Sequence, residues 1–258
     1  MSIHRVLILG GTTEARELAG VLAERSELEV GLSLAGRTAA PVRQPVPVRS
    51  GGFGGAEGLA AYLTSEGIDL LIDATHPYAA HISANAAAAS DRAGVPIIAL
   101  RRPAWQAGHG DRWHQVDDAR QAVDILGAAR KHVFLALGRQ ELQPFEAAPQ
   151  HAYVIRSVDP IEPGLSLPDA TYILARGPFS EAAETELLKK NAIEAIVCKN
   201  SGGAATYGKI AAASRLNIPV IMFRRPDLPD VPSGASVAEV AGLAGHWLDS
   251  AARRKRGV

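Results

Sequence analysis

Gly10-Gly11-Thr12-Thr13-Glu14-Ala15 follows the short apolar run Val6-Leu7-Ile8-Leu9. In the dinucleotide-binding pattern G-x-G-x-x-G/A, a tight turn leads from a strand into a helix, and a small third residue lets helix and strand lie close. Gly10 takes the first position, as the residue that permits the turn, and Ala15 the third. Thr12 replaces the second glycine, and its Cβ limits how closely a phosphate can approach the backbone. The N–H groups of this turn, at the positive end of a helix dipole, would face a pyrophosphate. Gly10, Gly11, Thr12, Thr13 and Glu14 are therefore cofactor-binding candidates, with Thr12 or Thr13 able to cap the helix and offer a hydroxyl. An ordinary βα turn with a threonine cap has the same local pattern.

A dinucleotide site usually sets Asp or Glu after the second strand to bind a ribose hydroxyl. Ala35-Gly36-Arg37-Thr38 stands there instead. With no carboxylate to repel a 2′-phosphate, Arg37 and Thr38 would bind one, which favours NADP over NAD.

Two further loops carry chemistry. Asp73-Ala74-Thr75-His76-Pro77-Tyr78 offers His76 and Tyr78 as catalytic candidates and Thr75 as a cofactor contact. Local capping and packing would account for them equally. Lys199-Asn200-Ser201-Gly202-Gly203 and Tyr207-Gly208-Lys209 supply donors around a flexible backbone, which suits an anion. Lys199 is also a catalytic candidate. Gly203 to Lys209 fits G-x-x-x-x-G-K, but Ile210 stands where a triphosphate site needs Ser or Thr. Arg139 and Arg176 follow two other apolar runs. With Lys199 they make three cationic strand ends, which a parallel sheet would gather on one edge to receive a substrate rich in carboxylates.

Composition narrows the partners. The 27 Lys and Arg balance 27 Asp and Glu, which counts against nucleic acid. The one cysteine, Cys198, follows an apolar run and reads as a buried, inert thiol. Metal-ligand spacing is missing, so no metal site is expected. No apolar run approaches the roughly 20 residues of a membrane helix, and the first residues enter a strand pattern at once. The expectation is a cytoplasmic protein with no membrane partner.

The elements that would position these residues alternate. Strands are predicted over 5–9, 29–34, 70–73, 97–100, 132–137, 153–157, 172–175, 195–198 and 220–223, with Ala-rich helices between them. Continuous apolar strands alternating with helices predict an α/β fold with mainly parallel sheets covered on both faces. Ala-Gly-Val-Pro-Ile-Ile-Ala-Leu-Arg-Arg-Pro, ending at Pro103, is echoed by Leu-Asn-Ile-Pro-Val-Ile-Met-Phe-Arg-Arg-Pro, ending at Pro226, and each precedes a helical stretch. Two Rossmann-like domains are expected, 1–127 for NADP and 128–258 for substrate, with an interdomain cleft between them.

Three segments, Val6–Arg16, Asp73–Ala79 and Lys199–Gly203, together resemble the precorrin-6A reductase family, and they occur in the family's order. The middle one is the most specific. The resemblance implies two Rossmann-like domains, an NADPH hydride donor and reduction of one ring double bond of precorrin-6A, a carboxylate-rich tetrapyrrole, during corrin-ring biosynthesis. The strand ends and the glycine-rich loop offer the expected substrate contacts: Arg139, Arg176, Lys199, Asn200, Ser201, Gly202, Gly203, Tyr207 and Lys209. The proton would come from His76, Tyr78, Tyr207, Lys199 or water. The family has branches acting on metal-free and on cobalt-bound substrate; the reading leans to the metal-free one. An S-adenosylmethionine-dependent methyltransferase and a non-catalytic NADP(H) sensor are the alternatives, and Arg37-Thr38 argues against the first.

Overall fold

The computed structural model describes residues 3–36 and 42–255, with side chains described as far as 250. In chain order the elements are β1 (His4–Leu9), α1 (Thr13–Ala23), β2 (Leu28–Leu34), β3 (Val48–Ser50), α2 (Gly55–Ser65), β4 (Leu70–Asp73), α3 (Ala80–Ala93) and β5 (Ile97–Leu100). There follow β6 (Trp113–Val116), α4 (Ala119–Leu126), β7 (His132–Ala136), β8 (Ala152–Ser157), β9 (Ala170–Leu174), α5 (Glu181–Lys190), β10 (Ala195–Lys199), α6 (Gly208–Leu216) and β11 (Val220–Phe223). The chain closes with β12 (Ser233–Gly234) and α7 (Val237–Lys255).

The strands form two six-stranded sheets in the orders β12-β5-β4-β1-β2-β3 and β6-β11-β10-β7-β8-β9. Every pairing is parallel. The expected α/β class with two Rossmann-like sheets is what the structure has. The nine anticipated strands are present within a residue or two at their ends. The short edge strands β3, β6 and β12 carry too little apolar pattern to be read from sequence.

Both faces of the first sheet are covered, and β1 shows how. Val6 and Ile8 point into a core with Leu18 and Leu22 of α1 and Val240 and Ala244 of α7. Leu7 and Leu9 point into another with Leu59 and Leu63 of α2 and Ala86 of α3. Alternate residues face opposite ways, so a strand buried on both sides must be apolar throughout. In the second sheet Phe134, Ile196, Cys198, Ile210 and Met222 share a core. Cys198 is buried there with its Sγ 3.7 Å from Met222 Sδ, and burial pushes its thiol pKa up, as expected of an inert thiol.

The expected division at about residue 127 differs from the observed one. One compact unit comprises 1–103 with 226–258, the other 104–225. The chain passes between units after Pro103 and again after Arg225, at the two Arg-Arg-Pro segments. β6 pairs with β11 in the second sheet, so β6 and α4 belong to the second unit. β12 pairs with β5, and α7 packs on the first unit's core. Each half thus gives its last strand and helix to the other half's sheet. Nothing in a short strand's local sequence states which parallel edge it joins, and chain order alone misassigns both.

Truncation after Arg225 should therefore damage the first unit selectively, by removing Val240 and Ala244 from its core. Hydrogen exchange should show lost protection at Val6–Leu9 and retained protection at Val133–Leu135. Equal loss in both strands would refute the exchanged-segment arrangement.

Candidate functional site

At the carboxyl end of β1, the Gly10 N–H donates to Ser33 O of β2 (2.9 Å), and the Ala74 N–H donates to Leu9 O (2.9 Å). A Cβ on Gly10 would lie 2.7 Å from Leu32 Cδ1 and 3.3 Å from Ala15 Cβ, whereas Gly11 adopts φ +115°. Gly11 rather than Gly10 thus takes the left-handed turn, and Gly10 joins Ala15 in permitting close packing. Thr12 is the N-cap of α1. Its Oγ1 accepts from the Ala15 N–H and donates to Ala74 O, both at 3.0 Å. That proton is engaged within the protein, whereas the cap expected of Thr12 or Thr13 falls to Thr12. Thr12 instead ties the β1 and β4 loops together, and the N–H groups of Thr13 and Glu14 precede the capped one in the helix's first turn. Glu14 forms an ion pair with Arg102, so a carboxylate beside the helix start is balanced by a cation.

After β4, the buried Asp73 carboxylate accepts from Thr75 Oγ1 (2.7 Å), the Thr75 N–H (3.1 Å) and Arg101 (2.7 Å). Burial pushes its pKa up. The charge of Arg101 and hydrogen bonds from Ser83, Thr75 and Arg101 outweigh burial, leaving it below the ordinary carboxylate value. Asp73 therefore fixes the loop that presents His76 and Tyr78. Their rings are 5.7 Å apart, and the Tyr78 N–H donates to His76 Nδ1 (3.3 Å).

Gly10 and Thr75 help line a cavity of about 180 Å³ whose wall is completed by Gly51-Gly52-Phe53-Gly54-Gly55, Ser33, Ala35 and Asn85. The glycine run between β3 and α2 escaped the sequence reading. Its signal was four glycines in five residues, and the structure gives Gly51, Gly54 and Gly55 positive φ. Arg49 pins it, donating to Gly51 O (2.5 Å) and Gly52 O (2.8 Å), with its guanidinium 3.8 Å from the Phe53 ring centroid. No carboxylate occurs between Ser33 and Gly36. Arg37 and Thr38 lie outside the described residues.

In the second unit the parallel sheet carries Arg139, Arg176 and Lys199 at the carboxyl ends of β7, β9 and β10. Arg139 and Arg176 are exposed. Lys199 Nζ is 2.7 Å from Glu141 Oε1. Ser201 and Gly202 are half-buried, Gly203 is buried, and Tyr207 is exposed with its ring 5.8 Å from that of Trp105.

Two of the expected substrate contacts are engaged within the second unit itself. Asn200 accepts from the Trp105 N–H (2.8 Å) and donates to Trp105 O (3.0 Å), so its amide clamps a neighbouring segment. Lys209 is buried, donating to Thr206 O (2.7 Å) with its ammonium 4.9 Å from the Trp105 ring. Burial pulls its pKa down. Lys209 braces the loop from beneath. Gly208 packs against backbone, since a Cβ there would lie 2.5 Å from Phe179 O. Among the described residues no group of three or more His, Cys, Asp or Glu could hold a metal, and no helix is long and apolar enough to cross a membrane.

The two units differ after the strands β1 and β7, which hold the same place in the two sheet orders. β1 runs into the three-turn helix α1, whereas β7 runs into short 3-10 turns over Arg139–Glu141 and Gln143–Ala147. The family model described as "Precorrin-6x reductase CbiJ/CobK" matches residues 5–244. The chain belongs to the precorrin-6x reductase family. A precorrin-6A reductase of Sinorhizobium sp is 60% identical over 97% of this chain and 96% of its own. The solved structure of CobK precorrin-6A reductase superposes with a TM-score of 0.90 at 50% identity, covering 95% of this chain and 97% of the other. A cobalt-precorrin-6A reductase of Priestia megaterium is 28% identical over 86% of this chain and 91% of its own. Membership places the chain among oxidoreductases, rather than with methyltransferases or non-catalytic sensors.

The Asp73 geometry sets a pH dependence for the stability of this chain. A carboxyl lowered on folding contributes stability above its unfolded pKa of about 3.9, and the contribution disappears as pH falls through the lower folded value. Asp73→Asn should cost about 3 kcal/mol at pH 7, by leaving Arg101 without its carboxylate. The gap from the parent chain should begin to narrow below about pH 4, in urea denaturation across pH 3–7. A pH-independent gap would rule out the charge effect. Separately, Asn200→Ala should cost about 1–3 kcal/mol and shift Trp105 fluorescence.

Proposed function

We propose that this chain uses NADPH to reduce one ring double bond of metal-free precorrin-6A, giving a dihydro product in corrin-ring biosynthesis. The observation that carries the cofactor half is the Gly10-Gly11-Thr12 turn opening α1 beside a glycine-walled cavity. The second unit has no matching helix. The residues fit a dinucleotide: Gly10 and Gly11 keep the turn free of side chains, Arg102 balances Glu14, and the described end of β2 bears no carboxylate. The unit of 1–103 with 226–258 holds NADPH. The unit of 104–225 holds substrate. The 60% identity to a precorrin-6A reductase, against 28% to a cobalt-precorrin-6A reductase, supports the metal-free substrate.

NADPH, when bound, supplies the hydride. The first N–H groups of α1 hold its pyrophosphate. Arg37 and Thr38 take the 2′-phosphate, and Thr75 contributes from the β4 loop. Arg139, Arg176 and Lys199, with Ser201, Gly202, Gly203 and Tyr207, receive the carboxylate-bearing substrate at the edge of the second sheet. His76, Tyr78 and Lys199 are the proton donors at stake. Fixing the reacting groups in attack geometry accounts for as much as about 7–11 kcal/mol of the barrier.

Arg37→Ala should weaken NADPH binding by about 1.5–3 kcal/mol, through loss of a charge-assisted hydrogen bond, and leave NADH binding nearly unchanged. Calorimetric titration of both cofactors checks this; equal losses would remove the 2′-phosphate assignment. Arg176→Ala should raise the KM for precorrin-6A while sparing NADPH affinity. The overall reading fails if the purified chain does not consume NADPH with precorrin-6A under anaerobic conditions, followed by absorbance.

A further inference from the structure

We propose that Glu141 is a positioning residue for the reduction, holding the Lys199 ammonium as proton donor to the substrate, and that Gly138 lacks a side chain to make room for it. The inference rests on the proposed function, in that Lys199 faces the substrate.

Three observations meet here. Lys199 ends β10, and Glu141 lies in the turn after β7, the neighbouring strand in register. Their side chains meet at 2.7 Å and are mostly shielded, with 18% and 28% exposure. The pair therefore differs from an exposed ion pair, whose long side chains wander. Glu141 Oε2 is also buried and accepts no hydrogen bond among the described residues. A carboxylate free to turn would bring that oxygen to water, because an unpaired buried acceptor is unfavourable. This one is held.

Gly138 explains how. Its backbone has φ −74° and ψ 155°, which any residue adopts, so the glycine serves no turn. A Cβ built there would lie 2.6 Å from Glu141 Oε2 and 3.7 Å from Lys199 Nζ. The missing side chain is the space that the carboxylate occupies. An ammonium has three N–H bonds, so the bond to Glu141 does not by itself exhaust it.

Hydride from NADPH bonds to one carbon of the conjugated macrocycle, and the electron pair of the double bond moves onto a conjugated ring atom. A Lys199 Nζ–H bond breaks, its electrons remain on nitrogen, and the proton joins that ring atom. The macrocycle gains two electrons, the dinucleotide loses two, and the lysine amine recovers a proton from water.

The test uses the full chain with NADPH and precorrin-6A. Glu141→Gln should lower kcat about 100-fold, the effect of a displaced catalytic group, with NADPH affinity unchanged by calorimetry. Gly138→Ala should act in the same direction, because its Cβ would lie 2.6 Å from Glu141 Oε2 and displace the carboxylate while its backbone is unstrained. Glu141→Ala should regain activity with formate but not with chloride at equal ionic strength. Glu141→Gln added to Lys199→Ala should lower kcat no further, since residues acting as a unit are not additive. A kcat for Glu141→Gln within about twofold of the parent, absence of formate rescue, or a further loss in the double variant would each overturn the proposal. An inactive parent chain would instead overturn the proposed function, so the two failures are distinguishable.

Discussion

Parallel strand pairing is the constraint on which the sites depend. A parallel ladder sets every strand's carboxyl end on the same edge. In the first sheet that edge collects Gly10, Ser33, Gly51 and Thr75 from four strands distant in sequence. In the second it collects Arg139, Arg176 and Lys199. The chemistry of each unit is thus assembled by backbone hydrogen bonding first, and by side-chain contacts second.

Those side-chain contacts hold the loops through charges paired at or just below the edge. Asp73 with Arg101, Glu14 with Arg102 and Glu141 with Lys199 are all shielded pairs. Beneath the second sheet's loops, Arg156 and Glu184 make a buried two-pronged pair at 2.5 and 3.0 Å. Such pairs fix direction more than they add stability, because desolvation offsets much of their attraction. That suits a reaction in which the cofactor does the bond chemistry and the protein holds orientation.

The exchange of terminal segments bears on the same loops. The two Arg-Arg pairs stand immediately before the chain passes between units. Arg101 and Arg102 bind Asp73 and Glu14 in the first unit; Arg224 binds Asp117, and Arg225 donates to Asn200 O, in the second. The residues that anchor each site's edge are therefore those at which the chain leaves that unit. The sequence echo ending at Pro103 and Pro226 marks these points, although it first reads as a simple repeat of two consecutive domains.

The sequence by itself determined the α/β class, the strands buried on both faces, the turn into α1 and the family, because apolar continuity, glycine placement and short motifs are local properties. Four glycines after β3 were equally local and went unread, since β3 has only three residues and little pattern. Only the tertiary structure decided where the units divide, because a short strand's partner is chosen by edge pairing and core packing far along the chain. It alone showed that Asn200 and Lys209 hydrogen-bond to the backbone of Trp105 and Thr206. A polar residue's type gives its donors and acceptors, but burial and neighbours decide which groups those donors meet.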